Sequence, residues 1–172
     1  MVTKERFQQG MTFTQYLDQM TTNKDKFLQQ LAEVRVGPED KAAFSGRRDK
    51  LNVLVITEDW CGDALTNVPV LAKMVEGAPN VEMRLFLRDQ NPDITNQYLN
   101  KGFFKSIPVF VFFDDRMNEL ARFVERPPAV TEYMEQKQLE LRRAMRAEKA
   151  EEWRQAAVDE IRSLLKREAV SQ

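Results

Sequence analysis

Seven consecutive residues, Leu51-Asn-Val-Leu-Val-Ile-Thr57, constrain this chain more than any other stretch. The run is short and rich in β-branched side chains, which is the composition of a strand. It ends abruptly in an acidic turn, Glu58-Asp59-Trp60-Cys61-Gly62-Asp63-Ala64, and a helical pattern follows at once through Leu65, Val68, Leu71, Ala72 and Val75. The thiol therefore stands where a helix begins. The first amides of a helix lack intrahelical partners, and the helix dipole puts partial positive charge there, so a thiol ionises more easily. Glu58, Asp59 and Asp63 act the other way by surrounding it with negative charge. The sequence leaves that balance open. Neighbours of this polarity argue for a partly exposed thiol rather than the buried, inert kind that free cysteine often is.

Composition removes several chemistries. The 172 residues contain one cysteine and no histidine. Cys-His and Ser-His catalysis are excluded, as are an internal disulfide and a cysteine-based zinc site, and no cofactor is implied. A net charge of −1 with both signs intermixed gives no nucleic-acid footprint and no basic membrane-binding face. The first ten residues, Met1 to Gly10, lack the apolar core of a signal peptide, and the apolar run near Ile107–Phe113 is far short of the roughly 20 residues that span a bilayer. The reading is a soluble protein of the cytoplasm with neither nucleic acid nor membrane as partner.

Along the chain, Thr12 and Gln15 form a capping box for a helix over 12–21, and Asn23 is placed to cap a second one through Phe27, Leu28, Leu31 and Val34. Pro38 opens a third, which Gly46 closes. Past the thiol-bearing turn and its helix, Gly77, Pro79 and Asn80 mark a loop, and Val81–Leu87 alternates as a strand. Asn91-Pro92-Asp93 begins a short helix through Leu99. Ile107–Phe113 is a nearly continuous apolar strand, turning at 114–118 into a hairpin partner, Glu119–Val124. Pro127-Pro128 stops that strand, and one long helical pattern runs from Ala129 to the end. Val130, Tyr133 and Met134 suit docking on a sheet. Beyond a highly charged middle, Trp153, Ala157, Ile161, Leu164 and Leu165 form an apolar stripe. That stripe either folds back on its own domain or pairs with a second subunit, and the two readings stand level.

Alternating strands and helices argue an α/β fold. Residues 51–135 resemble the thioredoxin fold, on Trp60-Cys61-Gly62-Asp63 between strand and helix and on Ile107-Pro108 heading the third strand. The resemblance implies a four-stranded mixed sheet in the order 2-1-3-4, flanked by helices, with a cis-proline at Pro108 beside the cysteine. It divides the chain into an N-terminal helical extension (1–48), a thioredoxin-like domain (49–140) and a C-terminal helical arm (141–172). Two departures bear on function. Ala64 stands where the redox family has its second cysteine, and Val55 stands where it has a buried acid. A dithiol cycle is excluded.

The expected function is monothiol chemistry. Cys61 attacks a disulfide, peroxide or glutathione adduct, and an external thiol resolves the product. Trp60, Gly62, Asp63, Ile107 and Pro108 would form the substrate surface, and the partner would be a protein or a low-molecular-weight thiol or disulfide. The alternative is a non-enzymatic thioredoxin-fold binding or adaptor module, dimeric through Trp153, Ile161 and Leu165. A cluster-binding monothiol glutaredoxin fits least, because Asp63-Ala64 is a poor match to a glutathione-binding set and the acid would repel the carboxylates of glutathione. Asp63 itself reads as a structural acid that favours the helix start and caps free amides.

Overall fold

The computed structural model describes the backbone of residues 1–170 and the side chains of residues 1–163. The chain divides into two compact units, Met1–Pro127 and Pro128–Gln172. The first begins with helices α1 (Lys4–Gln8), α2 (Phe13–Gln19), α3 (Lys24–Glu33) and α4 (Pro38–Ser45), followed by strand β1 (Leu51–Thr57), helix α5 (Gly62–Val75), strand β2 (Val81–Leu87), helix α6 (Pro92–Thr95), and strands β3 (Val109–Phe113) and β4 (Glu119–Val124). The second holds α7 (Pro128–Glu148) and α8 (Ala150–Val170), with a bend at Lys149 across which Lys149 N–H still bonds Met145 and Trp153 N–H still bonds Lys149. Helix α7 passes unbroken through residues 140 and 141.

The sheet order is β2-β1-β3-β4, as the resemblance implied. β1 and β2 run parallel in strict register from Leu51↔Val81 to Thr57↔Leu87, while β3 is antiparallel to both β1 and β4. Period-two alternation sends successive residues of each strand to opposite faces. On one face Val53, Val55, Leu85, Leu87 and Phe110 pack with Tyr16, Phe27, Ala64, Val68 and Leu71. On the other, Leu54, Ile56, Phe86, Val109 and Val111 pack with Phe7, Ile94 and Tyr98. β1 is buried along its whole length. The N-terminal helices are therefore part of the core: Tyr16 and Phe27 meet edge to face with ring centroids 5.8 Å apart, and both are fully buried.

Several local details differ from the sequence expectation. Helix α1 has only five residues, too few to show a period, yet Thr3 caps it by accepting from Arg6 N–H at 3.2 Å. The capping box at Thr12 and Gln15 is present, and Pro38 is the first residue of α4. Asn23 does not cap α3 with its side chain; its backbone is left-handed, with φ 54°. Helix α6 ends at Thr95 rather than Leu99, because the chain turns into a small loop closed by the mutual backbone bonds of Asn100 and Phe104. β3 begins two residues later than its apolar run. Ile107 and Pro108 precede the ladder, and their peptide bond is cis.

Met11 also pairs with Leu85, the two exchanging backbone bonds of 2.9 Å on the free side of β2. The adjacent Gly10 lies so close to β2 that a Cβ there would sit 2.6 Å from the Phe86 ring and 2.9 Å from Arg84 Cβ. Gly10→Ala is expected to cost about 1–3 kcal/mol through overpacking. Gly62→Ala, with nothing within 4 Å of the added methyl, should stay within about 0.5 kcal/mol. Urea unfolding midpoints of the two variants check the contrast.

Candidate functional site

Cys61 is the N-cap residue of α5, with extended backbone angles (φ −82°, ψ 121°) and no hydrogen bond from its side chain to the helix amides. The turn that brings it there is closed by Cys61 N–H bonding the Glu58 carbonyl at 3.4 Å, and the helix starts with Leu65 N–H bonding the Cys61 carbonyl at 3.0 Å. The thiol is partly exposed. Its Sγ donates to the Ile107 carbonyl at 3.5 Å, so Cys61, Ile107 and cis-Pro108 come together although 46 residues separate the first two. Cys61 also packs against the cores on both faces of the sheet.

The remaining residues expected at the site surround this contact. Trp60 is 47% exposed, with the Arg88 guanidinium 4.7 Å from its ring centroid. Arg88 in turn donates to the Lys105 carbonyl at 3.3 Å, in the loop leading to Ile107. Gly62 takes the first helical position without a positive φ and without a close neighbour. Asp63 lies in the first turn of α5, where the dipole favours an acid, but its carboxylate is bound to Arg126 at 2.8 Å instead of capping amides.

The three carboxylates flanking the thiol each have a partner of their own. Asp63 has Arg126, which also contacts Glu125. Asp59 Oδ2 accepts from the backbone amides of Thr21 and Thr22, both at 2.9 Å. Glu58 is only 7% exposed, and its Oε1 accepts from Asp89 N–H at 2.9 Å. Of the three, Asp63 is paired with a cation, while Asp59 and Glu58 are held by backbone amides. Beneath the turn lies a fully buried Tyr16, whose hydroxyl is 3.5 Å from Thr57 Oγ1; burial pushes its pKa up to about 12.

Arg88, Arg126 and Glu125 belong to the site but carried no signal in the sequence. Glu125 N–H donates to the Pro108 carbonyl at 2.7 Å from a left-handed backbone (φ 64°), and its own carbonyl accepts from Asn67 of α5 at 3.2 Å. This residue ties the end of β4 to both the cis-proline and the thiol-bearing helix. A left-handed non-glycine residue is uncommon and could be found only from the backbone.

Burial holds the Glu58 pKa above the ordinary glutamate value of 4.5, against the Asp89 amide bond that lowers it. A raised acid pKa is a cost of the charged form, fully present above the folded pKa and relieved as pH falls toward 4.5. Glu58→Gln removes the charge and keeps an acceptor for Asp89. The variant is expected to be at least as stable as the parent at pH 7, with its advantage shrinking by pH 5. A variant that gains stability relative to the parent as pH falls from 7 to 5 would contradict this reading of Glu58. Urea midpoints at the two pH values decide.

Comparisons with known proteins agree with the fold. A protein of unknown function from Pseudomonas aeruginosa, PA1234, superposes with a TM-score of 0.66 at 21% identity, covering 96% of this chain and 98% of its own. An HIV epitope-scaffold superposes with a TM-score of 0.60 at 26% identity, covering 74% of this chain and 79% of its own. A search of curated proteins gave no significant match. No helix among the described residues is long and apolar enough to cross a membrane. The family model described as thioredoxin matches residues 10–158, which takes in helices both before and after the strands in sequence, and the chain belongs to that thioredoxin family.

Proposed function

We propose that the protein carries out monothiol exchange, with Cys61 as its nucleophile. The observation that carries this reading is the placement of the chain's one thiol: partly exposed, at the N-cap of a 14-residue helix, and 3.5 Å from the carbonyl that precedes a cis-proline. The side chain is not spent on capping, and the helix terminus offers partial positive charge to a developing thiolate.

The exchange balances without a cofactor. The Cys61 thiol gives its proton to water, and its sulfur attacks one sulfur of a disulfide R–S–S–R′. A Cys61–S–R bond forms, the S–S bond breaks, and R′S⁻ leaves with the electron pair and takes a proton from water. With no second cysteine in the chain, a low-molecular-weight thiol R″SH attacks the mixed disulfide, regenerates Cys61 and leaves as R–S–S–R″. An extended substrate would lie against Ile107 and Pro108, between the Trp60 ring and the first turn of α5 at Gly62 and Asp63. Such a cycle needs a reduced thiol pool, which fits the cytoplasm. Reduction of a glutathionylated substrate in the presence of glutathione is the test. The parent should turn over and Cys61→Ser should fall to the uncatalysed rate; equal rates would remove the redox reading.

A second reading, a non-enzymatic adaptor that pairs with a copy of itself, is favoured by one observation on the C-terminal unit. Trp153, Val158 and Ile161 of α8 are 46%, 47% and 59% exposed, an apolar stripe of the kind that seldom stays in water. Leu164 and Leu165, expected on the same stripe, lie outside the described side chains. Sedimentation of the full-length chain should show a dimer, and Trp153→Glu with Ile161→Glu should convert it to monomer. A monomeric parent, or a dimer untouched by both changes, would discard the pairing.

A further inference from the structure

We infer that the N-terminal extension is a working part of the thiol site: the segment Thr21-Thr22-Asn23, between α2 and α3, latches Asp59 and so sets the orientation of Trp60 and Cys61. This deepens the monothiol reading, on which it rests only for the identity of the nucleophile. Asp59 is gripped at both ends. Its Oδ2 accepts from the amides of Thr21 and Thr22 at 2.9 Å each, with Thr21 Oγ1 at 3.5 Å, and its backbone carbonyl accepts from Asn23 Nδ2 at 3.1 Å. Bonds to an ionised carboxylate are stronger than neutral ones, and two consecutive amides converging on one oxygen make a compact cradle for negative charge.

The latch is aimed at the turn, not at the helices it comes from. Asn23 is the N-cap of α3, a position where an asparagine side chain normally bonds the helix amides. Here it makes no such bond, adopts a left-handed backbone with φ 54°, and spends its side chain on Asp59. From Asp59 the constraint passes directly to Trp60 and Cys61. Trp60 also has the Arg88 guanidinium over its ring, itself bonded to the Lys105 carbonyl near Ile107. Cys61 is returned to Glu58 by its amide and to Ile107 by its thiol. Asp59 touches no reacting atom, so it is a positioning residue. A misplacement of about 1 Å at a reacting group can cost on the order of a hundredfold in rate.

Two variants test the latch, Asp59→Asn and Asn23→Gly. The second removes only the bond to the Asp59 carbonyl, and glycine accepts the left-handed backbone, so it keeps the test valid if the first does not fold. The readouts are the rate of mixed-disulfide formation between Cys61 and an aromatic disulfide under native conditions, the same rate in urea, and Trp60 emission in a Trp153→Phe background. None requires turnover, so failure here is distinct from failure of the redox reading. A positioning role predicts a loss of about tenfold or more in the native rate for Asp59→Asn, a smaller loss in the same direction for Asn23→Gly, shifted Trp60 emission, and equal rates in urea. Native rates within twofold of the parent with unchanged emission, accompanied only by lower thermal stability, would overturn the proposal and leave Asp59 as a simple tether of the extension.

Discussion

Burial of β1 on both faces is the constraint on which the rest depends. Its side chains point alternately into two separate cores, so neither face can be left to solvent and both need helices. One face is covered by α5 together with Tyr16 and Phe27 of the N-terminal helices; the other takes Phe7 from α1 and Ile94 from α6. The buried strand also fixes its own end. Thr57 is fully buried, and the chain leaves the sheet there into the turn that carries the thiol. The Cys61 sulfur takes its position from a strand buried along its whole length, which is how groups on loops gain precision.

Much of this was legible. β1, β2 and β4 have the bounds that their apolar patterns indicated, and the sheet order followed from the family resemblance. The five residues of α1 were too few to show a period and went unread, while α6 was read from its Asn91-Pro92 start but not from its early end at Thr95. The partners of the acidic residues were not legible for a different reason. Glu58, Asp59 and Asp63 are crowded in sequence, and sequence distance made them look like one negative field around Cys61. In space they diverge: one toward the Asp89 amide, one toward the segment before α3, one toward Arg126. The partners lie between 31 and 63 residues away, beyond what local pattern can report.

The site is consequently a meeting of distant segments. The segment Thr21-Thr22-Asn23, the pair Arg88-Asp89, Ile107 in the segment ending at Pro108, and Arg126 all reach the turn through hydrogen bonds, a ring contact or an ion pair. Only two of those segments, the one after α2 and the one ending at cis-Pro108, are marked in the sequence by turn-forming residues. The N-terminal extension supplies Tyr16 to the core and two amides to Asp59. A minimal sheet with its thiol would lack both.

The pairing of Met11 with Leu85 has a consequence for how the protein behaves among its own copies. A sheet grows by adding strands at an edge whose backbone donors and acceptors are unpaired, and β2 would offer one such edge. By occupying Leu85 N–H and carbonyl, and by bringing Gly10 against the Phe86 ring, the chain plugs the middle of that edge with its own backbone. At the opposite side β4 presents Glu119 and Arg122, a charged pair that discourages a flat apolar partner, and a bulge between Phe112 and Phe113 distorts the neighbouring ladder. The four-stranded sheet is thereby terminated at both borders by different means, and strand-to-strand polymerisation is blocked without closing the sheet into a barrel.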